Sequence, residues 1–215
     1  LLKTLDGTDN KSRLGANATL GVSLAFARAS AKEKGQELYE YLGSLEGIND
    51  FKLPQPVLNI INGGKHADSG LDFQEFSIIP SGFNTFREKI RAGDAVIASL
   101  KEVLVSKGYG VGVGDEGGFA PKLSSNEEAL DLILKAVALA GYSPKEIQIG
   151  LDVAGSSFYK DGRYYPKLSM DKKGKTREDM MLWYKDLIEK YPITLIEDPF
   201  SEDDWEGFAE ITKKY

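Results

Sequence analysis

IQIGLDVA, from Ile147 to Ala154, is the stretch that decides how this chain reads. It is short and apolar, has no helical period, and reaches an acid at Asp152, which is the texture of a buried strand. ITLIEDP, from Ile193 to Pro199, repeats that texture and reaches an acid at Glu197. Between the two lies a polar excursion, Lys160 to Lys175, whose KDGRYY reads as a hairpin turning at Asp161-Gly162. Thr176 then caps a helix running to about Lys190, and Asp204-Trp205 opens another. Apolar strands alternating with helices predict a parallel α/β architecture. In a parallel barrel the carboxyl ends of the strands form the active face, so Asp152 and Glu197 should converge there. Their hard oxygen ligands suit Mg²⁺. Each acid alone reads equally well as the cap of a following helix; two matching strand ends favour a site.

Moving toward the N-terminus, Ser125 or Asn126 caps a helix of about Asn126 to Ala140 that stops at Gly141. A longer amphipathic helix spans about Phe83 to Lys107. Before it, the apolar runs VLNII and FQEFSIIP read as strands on either side of the glycine-rich loop INGGKHADSG. The texture upstream is different. Leu14 to Lys34 is a helix ending at Gly35, Glu37 to Leu42 a short helix ending at Gly43, and Ser44 to Lys52 a linker ahead of Pro54 and Pro56. A domain boundary falls there, separating residues 1–50 from 54–215.

The loop VGVGDEGGFAP, Val111 to Pro121, sets Asp115-Glu116 among Gly112, Gly114, Gly117 and Gly118. Such a backbone can take positive φ and approach a ligand closely, at an entropic cost that calls for a reason. Alone, it also reads as an acidic surface turn. Strand alternation puts Gln74, Phe76 and Ile78 on one face and Phe73, Glu75 and Ser77 on the other. An ionised Glu75 in so apolar a strand must find a partner or neutralise, unless the strand lies at an exposed edge. If Glu75 meets Glu116, repulsion raises one of the two pKa values and leaves a neutral acid able to donate a proton near pH 7. His66 sits in the loop between these strands, where a lone histidine is commonly just solvated.

Composition narrows the function classes. With 27 Lys and Arg against 33 Asp and Glu, and no basic stripe, the chain is not a nucleic-acid platform. No apolar run approaches the roughly 18 residues of a membrane span, and Leu1-Leu2-Lys3-Thr4 has no signal-peptide anatomy. The absence of cysteine excludes disulfides and thiolate catalysis and is compatible with a reducing cytosol. One histidine excludes a His-rich zinc site.

Taken together, LGANATLGVSLA (Leu14 to Ala25), NIINGGKHAD (Asn59 to Asp68), DFQEF (Asp72 to Phe76), GVGDEGGFAP, GLDVA (Gly150 to Ala154) and IEDPFSEDDW (Ile196 to Trp205) resemble the enolase family, in its order and over nearly the whole chain. The resemblance implies the first part of an enolase-type, TIM-like (β/α)8 barrel at residues 54–215, preceded at 1–50 by the helical end of a small α+β N-terminal domain. It implies a lyase, phosphopyruvate hydratase, that dehydrates 2-phosphoglycerate reversibly to phosphoenolpyruvate with Mg²⁺ in glycolysis and gluconeogenesis. A Lys or His base working with Mg²⁺ is a general property of that superfamily and is not read from these residues. By position, Glu116 matches the acid assisting loss of the 3-hydroxyl and Glu75 the glutamate beside it. His66 and Gln74 match substrate-contacting positions, and Asp152 and Glu197 match two of three Mg²⁺ carboxylates. A cytoplasmic protein, a homodimer or higher homo-oligomer, with no nucleic-acid partner, is implied as well.

Two departures qualify the match. Ser157 stands where the family usually has Glu. The family's catalytic lysine, third Mg²⁺ carboxylate, Ser-His-Arg loop and early Ser loop have no counterpart, so the chain reads as an interior portion, expected to be inactive and poorly stable by itself. A non-catalytic scaffold, or a superfamily member acting on a different carboxylate, are the alternative readings.

Overall fold

The computed structural model describes residues 1–168 and 173–215. Part of the polar excursion expected at Lys160 to Lys175 therefore lies outside the described residues. The chain forms two compact units, Leu1–Leu53 and Pro54–Tyr215.

The first unit is helical. It contains α1 (Leu2–Asp6), α2 (Ala16–Glu33) and α3 (Leu38–Leu45). Gly35, at φ 63°, follows the end of α2, as the sequence suggests. Gly43 does not end a helix. It lies inside α3, where an added Cβ would come 2.5 Å from the Phe51 ring, so the glycine answers a close contact and not a stop.

The second unit is built on a four-stranded sheet in the order β1 (Leu58–Asn62), β2 (Glu75–Pro80), β3 (Ile147–Asp152), β6 (Ile193–Glu197), with β4 (Tyr159–Lys160) and β5 (Arg163–Tyr164) forming the expected hairpin. Asp161 and Gly162 both take positive φ at its turn, 49° and 82°, the conformation that suits the twist of a two-residue hairpin. Helices α4 (Phe86–Ser106), α5 (Asn126–Leu139), α6 (Arg177–Lys190) and α7 (Trp205–Lys214) complete the unit. Thr85 and Glu88 form a reciprocal capping box at the start of α4, and Thr176 and Asp179 do so for α6. Phe76, Ile78, Ile149 and Leu151 on the strands are buried in one core with Val96, Leu100, Leu130 and Ile133 on α4 and α5.

The sheet is not all parallel. β3 and β6 are parallel, but β2 runs antiparallel to both β1 and β3. The β1–β2 connection carries no helix among the described residues, and a reversal is what a crossover-free link permits. The reversal fixes the site. In the ladder, Asn62 pairs with Glu75, Glu75 with Asp152, and Asp152 with Glu197, so the first residue of β2 shares a row with the last residues of its neighbours.

Candidate active site

Three carboxylates and an amide thus line up along one rim of the sheet. β2 lies between β1 and β3, which removes the edge-strand reading of Glu75; its side chain is only 20% exposed. Gln74 precedes β2 and escapes the expected alternation. Its Nε2 donates to Asp152 Oδ2 at 3.0 Å, while Asp152 Oδ1 accepts from the Ala154 amide at 2.9 Å.

The acid loop arrives from the side. Phe119 N donates to Ile60 O at 2.9 Å and Asn62 N donates to Phe119 O at 2.8 Å, so the return limb of the loop adds to β1. Gly114 N donates to Gly118 O at 2.8 Å, closing a small turn with Asp115 and Glu116 at its tip. Only Gly117 among these four glycines takes positive φ, 83°. Gly114 and Gly118 are needed for a different reason. A Cβ on Gly118 would lie 2.5 Å from Asn62 Oδ1, and one on Gly114 would lie 2.8 Å from His66 O, so the loop is pressed against the protein's own strand and loop.

His66 comes in on the Gly63 to Gln74 connection between β1 and β2. The Asp115 amide donates to its carbonyl at 3.3 Å, tying the two loops together. Its ring stands between the two glutamates, with Nδ1 3.5 Å from Glu75 Oε1 and Nε2 3.8 Å from Glu116 Oε1. One ligand atom from each of the three side chains lies within 4.8 Å of the others, so His66, Glu75 and Glu116 could hold a metal ion. The lone histidine is not merely solvated.

Burial, reinforced by charge crowding, governs the electrostatics. Burial first, then Asp152 and Glu116, push the Glu75 carboxyl up from 4.5 to about 7. Glu75 is the acid whose carboxyl is raised, and burial and Asp152 contribute more to that than the expected repulsion from Glu116. Burial also raises Asp152, against hydrogen bonds from Ala154 and Gln74. Glu197 rises through burial, then Asp152 and Asp198. Among the described residues, neither Asp152 nor Glu197 has an ion pair to Lys or Arg, and a cluster of this kind is relieved by a bound cation.

Some participants escaped the sequence reading. Asp198, directly after Glu197, adds charge to the rim and takes φ 44°; the acidic pair Glu-Asp was the available signal. Asn59 and Asn62 have side-chain amides buried without a hydrogen-bond partner beneath the acid loop, and no pattern distinguished them. A cleft of about 640 Å³ is lined by Tyr164, Arg177 and Asp204 and by none of the rim carboxylates. Arg177 there is already neutralised by Asp204 at 2.6 Å.

Fold and rim together define a barrel-type α/β protein whose acids cluster at the carboxyl ends of its strands. The description "Enolase, C-terminal TIM barrel domain" matches residues 50–215, and "Enolase, N-terminal domain" matches residues 1–42. The chain is 50% identical over all of its 215 residues to a protein named enolase from a Nitratiruptor species. The chain belongs to the enolase family. It spans 50% of the length of that relative. Among the described residues, no helix is long and apolar enough to cross a membrane.

Proposed function

We propose that this chain carries the acid and metal-binding side of an enolase, a Mg²⁺-dependent hydro-lyase interconverting 2-phosphoglycerate and phosphoenolpyruvate. The observation that carries the reading is the row Asn62–Glu75–Asp152–Glu197 with Glu116 and His66 standing over it. Residues 1–50 are assigned to the N-terminal domain and 54–215 to the barrel. Cytoplasmic localisation, a glycolytic role and assembly into homodimers or larger homo-oligomers belong to the same proposal.

Asp152 and Glu197 fit Mg²⁺, being adjacent oxygen donors without a cationic partner among the described residues. The ion, when bound, supplies positive charge against the negative charge that develops on the substrate carboxylate as the neighbouring proton leaves. Gln74 holds the Asp152 carboxylate in place through its 3.0 Å hydrogen bond. His66 and Gln74 orient the substrate. Glu116, half-exposed on its glycine turn, delivers a proton to the departing 3-hydroxyl, and Glu75, neutral up to about pH 7, keeps that proton available beside it. The base is not among these residues.

The test is direct. The native protein, with Mg²⁺ and 2-phosphoglycerate, should form phosphoenolpyruvate, followed by its ultraviolet absorbance. A native protein that binds Mg²⁺ but shows no turnover would support the scaffold reading instead.

A further inference from the structure

We propose that Asp72 and Asn126 form a buried positioning pair that fixes the base of the loop carrying His66 and the placement of Gln74, and through them sets how tightly the substrate is held. The kinetic consequence rests on the dehydratase reading; the pair itself rests on its hydrogen bonds.

The two residues answer each other across 54 positions of chain. Asp72 N donates to Asn126 Oδ1 at 3.2 Å, and Asn126 Nδ2 donates to Asp72 Oδ2 at 3.3 Å. Asp72 Oδ1 accepts from Leu168 N at 3.1 Å, which brings in the segment after the β4–β5 hairpin. Both residues are buried, at 5% and 1% exposure. The helix has no need of Asn126. Ser125 caps α5 by accepting from Glu128 N at 3.0 Å, which leaves the Asn126 side chain to Asp72. Stability alone does not call for the pair either. Burial raises the Asp72 carboxyl, and hydrogen bonds from Leu168, Lys167 and Asn126 offset this only in part. Apolar side chains of similar volume would fill the same place without that penalty.

The limb that the pair secures touches the site at two points. Leu71 O accepts from Gly64 N at 3.1 Å and Gln74 O accepts from Gly63 N at 2.9 Å, so residues on either side of Asp72 hold the two glycines from which the His66 loop leaves β1. The contact is close. A Cβ on Gly63 would meet Leu71 Cβ at 2.7 Å, and one on Gly64 would meet Gln74 Cα at 3.0 Å. Gln74 N also donates to Asp152 O at 2.9 Å, while its side chain holds the Asp152 carboxylate. A shift of this limb therefore reaches His66 through the glycines and Asp152 through Gln74. Misplacing an orienting group by about 1 Å costs on the order of a hundredfold in rate, so partial release of the limb is worth about tenfold.

The experiment is a swap of the two side chains in the native protein. Asp72→Asn alone sets an amide NH₂ against Asn126 Nδ2, whereas Asp72→Asn with Asn126→Asp restores donor to acceptor and puts the carboxylate in the first turn of α5, where the helix dipole favours it. At a temperature well below melting, kcat/KM for 2-phosphoglycerate should fall about tenfold in Asp72→Asn, through KM more than kcat, and return to within about threefold of native in the double variant. The His66 ring resonances, assigned by their loss in His66→Gln, should move in Asp72→Asn and return with the swap. Asn126→Ala keeps the Ser125 cap and should raise KM as Asp72→Asn does, which decides the matter if the double variant does not fold. A lower melting temperature with native KM and unmoved His66 resonances overturns the pair, as does a folded double variant no better than Asp72→Asn. Absence of turnover in the native protein overturns the dehydratase reading and leaves the His66 resonances to decide the pair.

Discussion

Replacing Glu75 by glutamine should stabilise the protein above neutral pH while costing it activity. The folded protein holds the Glu75 proton up to about 7, whereas the unfolded chain releases it near 4.5. Between those values the folded state binds more protons than the unfolded one, so stability falls as pH rises through this window and stays lowered above it. A carboxyl raised from 4.5 to about 7 carries about 3 kcal/mol at 1.4 kcal/mol per tenfold change, and the 20% exposure of the side chain trims this to about 2–3 kcal/mol. Glutamine fills nearly the same volume and has no charge to bury beside Asp152 and Glu116. Urea denaturation of native and Glu75→Gln protein, with chelator present and slopes compared, measures the difference. The variant should be more stable by about 2–3 kcal/mol near pH 8 and within about 0.5 kcal/mol of the native protein near pH 4. A difference that does not change with pH, or a variant less stable at pH 8, would refute the argument that burial and charge crowding at the rim raise Glu75.

The other predictions concern packing and function. Gly118→Ala should destabilise by about 1–3 kcal/mol in thermal melts and lower kcat, because its Cβ meets Asn62 Oδ1 at 2.5 Å and Ile60 C at 3.1 Å. Gly112→Ala, with nothing within 4 Å, should stay within about 0.5 kcal/mol of native; equal melts for the two variants would contradict the packing account. Asp72→Ala should cost about 1–3 kcal/mol, since Asp72 accepts from Leu168 N at 3.1 Å and Asn126 Nδ2 at 3.3 Å and its loss leaves the buried Asn126 amide unpaired. Faster amide exchange at Leu168 would report it. The 215-residue chain by itself should give no phosphoenolpyruvate from 2-phosphoglycerate; measurable turnover would show that the base lies within these residues after all.

Local chemistry made most of the second unit legible. Ser125, Thr176 and Asp204 stand one residue before their helices, and each accepts the amide that a cap should accept. Gly43 misled because a glycine demanded by the Phe51 ring looks in sequence like one demanded by a helix end. The acid loop misled in the same way. Its glycines suggested close approach to a ligand, but Gly114 and Gly118 are spent against His66 O and Asn62. Spacing cannot distinguish a backbone pressed on a ligand from one pressed on its own strand. The short distances from His66 to Glu75 and Glu116 were equally hidden, because three separate segments bring those residues together.

The direction of β2 was the largest omission, and its consequence for chemistry is specific. Had β2 run parallel to β3, Glu75, its first residue, would sit at the amino end of the sheet, a strand length from Asp152 and Glu197. Reversal brings the first residue of β2 into register with the last residues of β1, β3 and β6. The signal was present, since a parallel return usually carries a helix and Gly63 to Gln74, at the shortest length such a crossover takes, offers no helical period. Reading that connection as a turn would have placed three acids along one row, where each raises the cost of ionising its neighbour. The row thus divides its work by ligand environment. Asp152 and Glu197 offer oxygens to a cation, while Glu75, buried and then pressed by Asp152 on one side and Glu116 on the other, keeps its proton up to about 7.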